Sequence, residues 1–192
     1  MAKPYKRIPN SQRKPISQSR LKELVDYDPL TGRFVRTGAA RPQSAWHAGK
    51  GIGYVKKGSH SSGGGYIMLS VDGKTCRAHH MAWLYMTGEL PTTDIDHIDG
   101  DRANNRWANL RSATRSQNIA NSKRPIDNKS GFKGVSFDEK RGLWKAQIGI
   151  GKNAKGYYDT KYLGRFATKE EAALCYRKAA GERFGEFARC DV

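Results

Sequence analysis

Short runs of alternating apolar and polar residues divide this chain, and the clearest run lies near its middle. Tyr66–Val71 and residues 74–78 flank an Asp-Gly pair at positions 72 and 73, a combination that predicts a tight β-hairpin. The next stretch, residues 79–87, has apolar residues at helical spacing and ends at Gly88. It predicts a short helix that follows the hairpin directly.

The pattern before this hairpin is weaker. Residues 1–19 are basic and rich in Ser, Gln and Pro, which predicts a disordered arm. Two interpretations of this arm stay open: it follows the DNA backbone, or it is a frayed terminus in solvent. Residues 20–25 predict a helix that ends near Asp28, and Arg33–Arg36 predicts a strand. Residues 37–65 are rich in Gly, Ser and Lys but contain no phosphate-loop motif.

The pattern after residue 121 predicts a second folded region. Residues 122–130 are polar and contain Pro, as is typical of a linker. Apolar runs then predict three strands, at residues 134–137, 143–148 and 161–166. Thr168 with Glu171 forms a capping box, which predicts a helix with an alanine-rich face up to Gly185.

The predicted fold class is α+β. The predicted organisation is an arm over residues 1–19, a first domain over 20–121 with its core motif at 94–121, a linker over 122–130, a second domain over 131–188 and a tail over 189–192.

The charge narrows the function. The chain of 192 residues has a formal net charge of +17, and its excess of basic residues is spread over the arm and both domains. Such a chain favours a polyanionic partner, because neutralised phosphates release counterions. Three widely spaced cysteines favour neither a disulfide framework nor a zinc site. With no long apolar run and no secretory signal pattern, we expect an intracellular protein that is not secreted and has no membrane partner.

The chemistry concentrates at residues 94–100. Asp96 and His97 end a short apolar run, and Leu110–Ala113 is suited to return as a second strand. A capping box at Thr114 then predicts a helix that carries Asn118 in its first turn. A strand, a return strand and a helix would bring Asp96 and Asn118 together, and their oxygen atoms suit a hard cation.

The spacing of these residues resembles the HNH nuclease ββα-metal motif. Asn109 follows His97 by twelve positions and Asn118 follows it by twenty-one, and Asp and Asn at the metal positions resemble the phage and intron-encoded homing branch. The resemblance implies a DNA endonuclease that hydrolyses phosphodiester bonds, with His97 as general base, Asn109 orienting it, and Asp96 and Asn118 binding one metal ion. Oxygen ligands favour Mg²⁺ or Mn²⁺ over zinc.

Other uses of the nearby acids and histidines are weaker. If Asp94 and Asp96 began a calcium loop, its fifth position would be Ile98 and its closing position Asn105, so the spacing excludes it. The histidines of the preceding helix lie sixteen or more residues upstream of the motif. Of these, His79 is kept as a candidate phosphate or structural contact.

The C-terminal region carries a second resemblance, over about residues 130–188. Lys133-Gly134-Val135, the run from Trp144 to Ile148, the run from Tyr162 to Phe166 and Glu170-Glu171-Ala172-Ala173 resemble the plant ethylene-response-factor (Apetala-type) DNA-binding domain. The resemblance implies a sheet in the major groove, with these DNA contacts: Lys133, Ser136, Trp144, Lys145, Gln147 and Tyr162, with Arg165 on a phosphate.

Two features limit that second resemblance. Ser136 stands where the plant domains carry arginine, so their sequence preference does not transfer. Trp144 and Tyr162 are each equally suited to packing under the alanine-rich helix.

We therefore expect an HNH endonuclease of phage or mobile-element type, acting on double-stranded DNA in the host cytoplasm with a separate DNA-reading domain and no small-molecule cofactor. Two alternatives remain open. One is a catalytically inactive DNA-binding regulator that retains the HNH unit as a scaffold, and the other is a packaging component that uses its charge alone.

Overall fold

The computed structural model describes residues 15–37, 51–56, 65–125, 127–152 and 156–190. Within these ranges lie four α-helices: α1 (Gln18–Leu24), α2 (Ala78–Thr87), α3 (Arg115–Asn121) and α4 (Lys169–Phe184). The β-strands there are β1 (Val25–Asp28), β2 (Arg33–Arg36), β3 (Gly51–Ile52), β4 (Tyr54–Lys56), β5 (Tyr66–Val71), β6 (Lys74–Arg77), β7 (Asp94–His97), β8 (Leu110–Ala113), β9 (Val135–Asp138), β10 (Leu143–Lys152) and β11 (Tyr158–Phe166). The fold is a mixture of helices and small antiparallel sheets.

The chain forms two compact units. Of the described residues, the first comprises 15–37, 51–56, 65–91 and 103–108, and the second comprises 92–102, 109–125, 127–152 and 156–190. These bounds differ from those of the predicted domains, which remain a prediction.

The first unit contains α1, α2 and two three-stranded sheets, β1-β2-β3 and β4-β5-β6. Its buried apolar side chains include Leu21, Phe34 and Leu69. Gly32 has a positive φ of 73°, and a Cβ at this position would collide with the backbone of Asn105. Glycine is therefore required at this turn by both conformation and space.

The second unit contains β7 paired with β8, then α3, then the sheet of order β11-β10-β9 with α4 packed on it. Small side chains allow the helix to approach closely: Ala146 of the sheet and Ala172 of the helix are fully buried in one cluster. Both helices of this unit begin with capping boxes, at Thr114 and Thr168, which satisfy backbone N–H groups of the first turn.

The local predictions were largely confirmed. The hairpin around Asp72, the helix after it, both capping boxes and the three C-terminal strands are present. The predicted extension of α1 towards Asp28 was wrong: Val25–Asp28 is a strand whose residues alternate between buried and exposed, a period that fits only a half-buried strand.

Other differences concern strand length and coverage. β10 and β11 extend beyond the predicted runs, and β3 and β4 lie in the glycine-rich stretch that predicted no strand. Residues 1–14 of the predicted arm lie outside the described residues. None of the helices in the described part of the chain has the length and apolar character needed to cross a membrane.

Candidate active site

The acidic face of β7 forms the centre of the site. Asp94 and Asp96 are two residues apart on this strand, so their side chains leave the same face. The face is covered by α3, and β8 lies alongside with Arg111 directly opposite Asp96. Asp96 and its neighbour His97 are both buried.

Asp96 is held by two partners. Arg111 donates from Nε to Oδ2 at 3.0 Å, and Asn121 donates from Nδ2 to Oδ1 at 3.0 Å and to Oδ2 at 2.9 Å. The same amide group donates to the backbone oxygen of His97 at 2.8 Å. Asn121 thus ties the end of α3 to the strand segment that carries Asp96 and His97.

Asp94 has a parallel set of partners at the other end of the face. Its Oδ2 accepts from Arg115 Nη1 at 3.2 Å and from Asn118 Nδ2 at 3.0 Å. Hydrogen bonds with Tyr158, and then with Asp94, raise the pKa of Arg115. Among the hydrogen bonds of the described residues, Asn118 is joined to Asp94, and none joins it to Asp96, its predicted partner in metal binding.

Asn109 lies at the turn that follows His97. Its Oδ1 accepts from the Asp99 backbone N–H at 3.0 Å, its Nδ2 donates to Asp99 Oδ1 at 3.0 Å, and its backbone oxygen accepts from Ile98 N at 2.9 Å. Since Ile98 and Asp99 directly follow His97, these bonds fix the backbone beside the imidazole.

The position of α3 depends on both of its ends. The capping box at Thr114 holds the first turn. At the other end, Lys133 Nζ donates to the backbone oxygens of Ile119, Ala120 and Ser122 at 3.0, 2.6 and 2.8 Å. An ammonium group at the C-terminus of a helix satisfies free carbonyls and complements the helix dipole. Lys133, predicted as a DNA contact, is thus occupied in holding α3.

Arg111 is enclosed by the 3-10 turn Gly185–Phe187, which follows α4. Its guanidinium carbon lies 3.7 Å from the centre of the Phe187 ring, and its Nη1 donates to the Glu186 backbone oxygen at 3.3 Å. The side chain of Arg111 is only 13% exposed. Within the described residues, its Nη2 is buried and has no hydrogen-bond partner. Arg189 adds a further tie by donating to the Asp99 backbone oxygen at 2.8 Å.

The possible metal ligands on this face are oxygen atoms. Among the described residues, no group of three or more His, Cys, Asp or Glu side chains is arranged to hold a metal. The carboxylate of Asp96 and the amide oxygens of Asn118 and Asn121 are hard ligands, and they fit Mg²⁺ or Mn²⁺, which bind through few carboxylates and keep several waters. Asn121 and Arg111 were not predicted from the sequence as site residues. Asn121 could have been found, because it lies three residues after Asn118 and so on the same helix face.

The predicted DNA contacts of the C-terminal sheet divide between its two faces. Ser136, Lys145 and Arg165 lie opposite one another across the three strands, and Gln147 pairs with Tyr162, which is 52% exposed. These five share the face away from α4. Trp144 lies on the other face, against the Ala146 cluster and 5.0 Å from the Phe137 ring, so packing is what the structure shows for this aromatic.

His79 belongs to the first unit and is buried, with its ring 5.0 Å from that of Tyr66 and 4.5 Å from that of His80. This position favours the structural contact over the phosphate contact, because a phosphate needs a solvent-accessible donor.

Comparison with known proteins gives a consistent picture. Residues 76–120 match the family model of the HNH endonuclease. The chain is 33% identical over 117 residues to Protein 3.8 of Escherichia phage T7, a match that covers 60% of this chain and 91% of that protein. It is 37% identical over 109 residues to a protein named Uncharacterized HNH endonuclease L560 of Acanthamoeba polyphaga mimivirus, covering 55% of this chain and 51% of the relative.

A plant protein is also similar. The AP2-like ethylene-responsive transcription factor ANT of Arabidopsis thaliana is 32% identical over 132 residues, which is 67% of this chain and 22% of the plant protein. No solved structure matches the chain.

Proposed function

Because the chain belongs to the family of the T7 protein and contains an HNH endonuclease domain, we propose that it is a divalent-metal-dependent endonuclease that hydrolyses phosphodiester bonds of double-stranded DNA. The observation that carries the proposal is the burial of Asp96 and His97 side by side under α3, within residues that match HNH endonucleases. The net charge of +17 supports a nucleic-acid substrate.

His97 is proposed as the general base that takes a proton from the attacking water. Imidazole is suited to this role because it exchanges protons near neutral pH. Asn109 supports it by fixing the backbone of Ile98 and Asp99 beside the imidazole. Asn121 supports it from the other side, through its hydrogen bond to the His97 backbone oxygen.

Asp96 and Asn118 are proposed to hold one Mg²⁺ or Mn²⁺. Asn118 donates from its Nδ2, and no hydrogen bond among the described residues involves its Oδ1. We propose that this oxygen coordinates the cation. When bound, the cation supplies charge stabilisation to the scissile phosphate and its leaving oxygen. Asn121 orients Asp96 by donating to both carboxylate oxygens.

The C-terminal sheet is proposed to read DNA with the face opposite α4. Lys145, Gln147 and Tyr162 lie on that face with Ser136 and Arg165, and a mixture of basic, amide and aromatic groups suits phosphate contact and base-edge recognition. Trp144 and Lys133 are not included in this proposed DNA-binding face, because both side chains are engaged inside the unit.

The test is cleavage of supercoiled plasmid by the full chain with Mg²⁺, and with EDTA as a control. We expect nicked or linear DNA only with the metal, and at least about a 10²-fold lower rate for His97→Ala, because loss of a general base costs about that much. Binding of DNA without metal-dependent cutting would favour the inactive regulator instead.

A further inference from the structure

The acids of the site already carry counter-charges. Asp96 is paired with Arg111 at 3.0 Å and Asp94 with Arg115 at 3.2 Å. These four side chains therefore sum to no net charge at the place where a divalent cation is to bind. Glu186 adds a carboxylate 3.7 Å from Arg111, but it is 77% exposed, and solvent screens such a group.

The counter-charge on Asp96 is fixed in place. Arg111 lies opposite Asp96 in the pairing of β7 with β8. Phe187 lies over its guanidinium and the Glu186 backbone oxygen accepts from it, so the turn after α4 keeps Arg111 on the acid. A cation that displaced this side chain from Asp96 would also have to break its contacts with the turn Gly185–Phe187.

Arg111 is also poorly placed to act on DNA itself. Its Nη2 is buried and its other nitrogens are engaged with Asp96 and Glu186. The Phe187 ring centre lies 3.7 Å from the guanidinium carbon, which further limits access to this side chain. The effect of Arg111 is therefore exerted through Asp96.

Electrostatics determines what that effect is. A buried charge is little screened by salt, so the guanidinium repels a divalent cation from the same carboxylate that attracts it. DNA would add the missing negative charge, since each phosphate brings one. A protein of net charge +17 recruits DNA without the help of metal.

We propose that Arg111 is a built-in counterion of Asp96, and that the site binds its divalent cation tightly only once a DNA phosphate has arrived. The inference rests on the proposed function, because it concerns the same Asp96 site. It adds an order of loading, DNA before metal, and gives the C-terminal turn a part in the nuclease site as the holder of Arg111.

The experiment measures Mn²⁺ binding by electron paramagnetic resonance, with and without a short DNA duplex, and with the duplex alone as background. All proteins are full-length and carry His97→Ala to slow cleavage. Arg111→Met removes the charge, and Arg111→Lys removes the planar fork but keeps the charge. Arg20→Met is the matched control, because it breaks an Arg–Asp pair of 2.9 Å in which both side chains are 44% exposed.

We expect the duplex to tighten Mn²⁺ binding at least about tenfold, which corresponds to about 1.4 kcal/mol. Without DNA, Arg111→Met should bind Mn²⁺ at least about tenfold more tightly than the parent, whereas Arg111→Lys and Arg20→Met should resemble it. Mn²⁺ should accordingly raise the melting temperature of Arg111→Met more than that of the parent.

Equal Mn²⁺ affinity with and without DNA, or no tightening in Arg111→Met, would overturn the inference. If Arg111→Met does not fold, Phe187→Ala carries the test, with a smaller tightening expected and its absence equally decisive. The nuclease assignment is judged separately, by plasmid cleavage with the unmodified chain, so that a protein that cuts but loads metal independently of DNA refutes only the order of loading.

Discussion

The two ends of the acidic face of β7 have the same chemistry in different surroundings. At one end Asp94 receives one arginine and one asparagine, Arg115 and Asn118, and at the other Asp96 receives Arg111 and Asn121. The first pair of charges is 36% and 68% exposed, whereas the second is 5% and 13% exposed. The two ends therefore carry the same kind of ion pair, but water screens the Asp94–Arg115 pair and protein encloses the Asp96–Arg111 pair.

This difference determines what each end contributes. An exposed ion pair adds little stability, whereas removal of one partner from a buried pair leaves an uncompensated charge. Only the enclosed end adjoins His97 and the turn fixed by Asn109. We infer that the enclosed acid serves the chemistry and that the exposed acid serves mainly to orient α3.

The largest expected difference is between Asp96→Asn and Asp94→Asn. Asp96→Asn should lower the Mg²⁺-dependent cleavage rate by more than about 10²-fold, since the metal contributes several kcal/mol and about 1.4 kcal/mol is a factor of ten. It should also cost about 3 to 5 kcal/mol of unfolding free energy, because Arg111 is left buried and unpaired.

Asp94→Asn is the matched control, with an expected loss of about 1 kcal/mol or less and a much smaller effect on cleavage. The measurements are urea unfolding and plasmid cleavage for both variants. Equal losses for the two would show that burial does not separate the two ends.

The asparagine substitutions should sharpen the same comparison, with a smaller effect on stability. Asn121→Ala removes the buried amide that donates to both carboxylate oxygens of Asp96 and to the His97 backbone oxygen, which should cost about 1 to 3 kcal/mol of stability. Asn118→Ala should cost less stability but abolish Mg²⁺-supported cleavage, and Asn118→His should shift the preference towards softer transition metals.

Cleavage with several metals and thermal unfolding would be measured for all three asparagine variants. Normal cutting by Asn118→Ala, together with loss of metal response in a folded Asn121→Ala, would transfer the metal-ligand role from Asn118 to Asn121.

Features of this site that depend on residues close in sequence could be predicted, and features that depend on distant residues could not. The capping box at Thr114 and the turn after His97 belong to the first kind, because their characteristic residues lie within a few positions of one another. The partner of Asp96 on the helix depends on the tilt of α3 against β7, which no short pattern specifies. Asn118 and Asn121 are three positions apart and share a helix face, so the spacing alone does not say which of the two meets Asp96.

The enclosure of Arg111 was even harder to predict from the sequence. Its contact with Glu186 spans 75 positions, and neither residue belongs to a motif. Lys133 was mispredicted for another reason: the resemblance to the plant domain implied a DNA contact, whereas its ammonium meets the carbonyls that end α3. Charge alone does not distinguish a phosphate from the C-terminus of a helix, because both attract cations.

Another Arg–Asp pair, on the outer face of the C-terminal sheet, extends the comparison to the smallest expected effect. Arg165 Nε donates to Asp138 at 2.9 Å, and this hydrogen bond, with added attraction from Arg141, lowers the pKa of Asp138 below its ordinary value of 3.8. A carboxylate whose pKa is lower in the folded state stabilises the fold when the pH is above its ordinary pKa, and this contribution disappears as the pH falls through the lower pKa of the folded state.

Melting temperatures of the parent and Asp138→Asn, measured from neutral pH downwards, should therefore differ slightly at neutral pH and converge at strongly acidic pH, with Arg165→Met giving the same convergence. A gap that persists or widens at acidic pH would mean that Asp138 contributes through packing rather than through its charge.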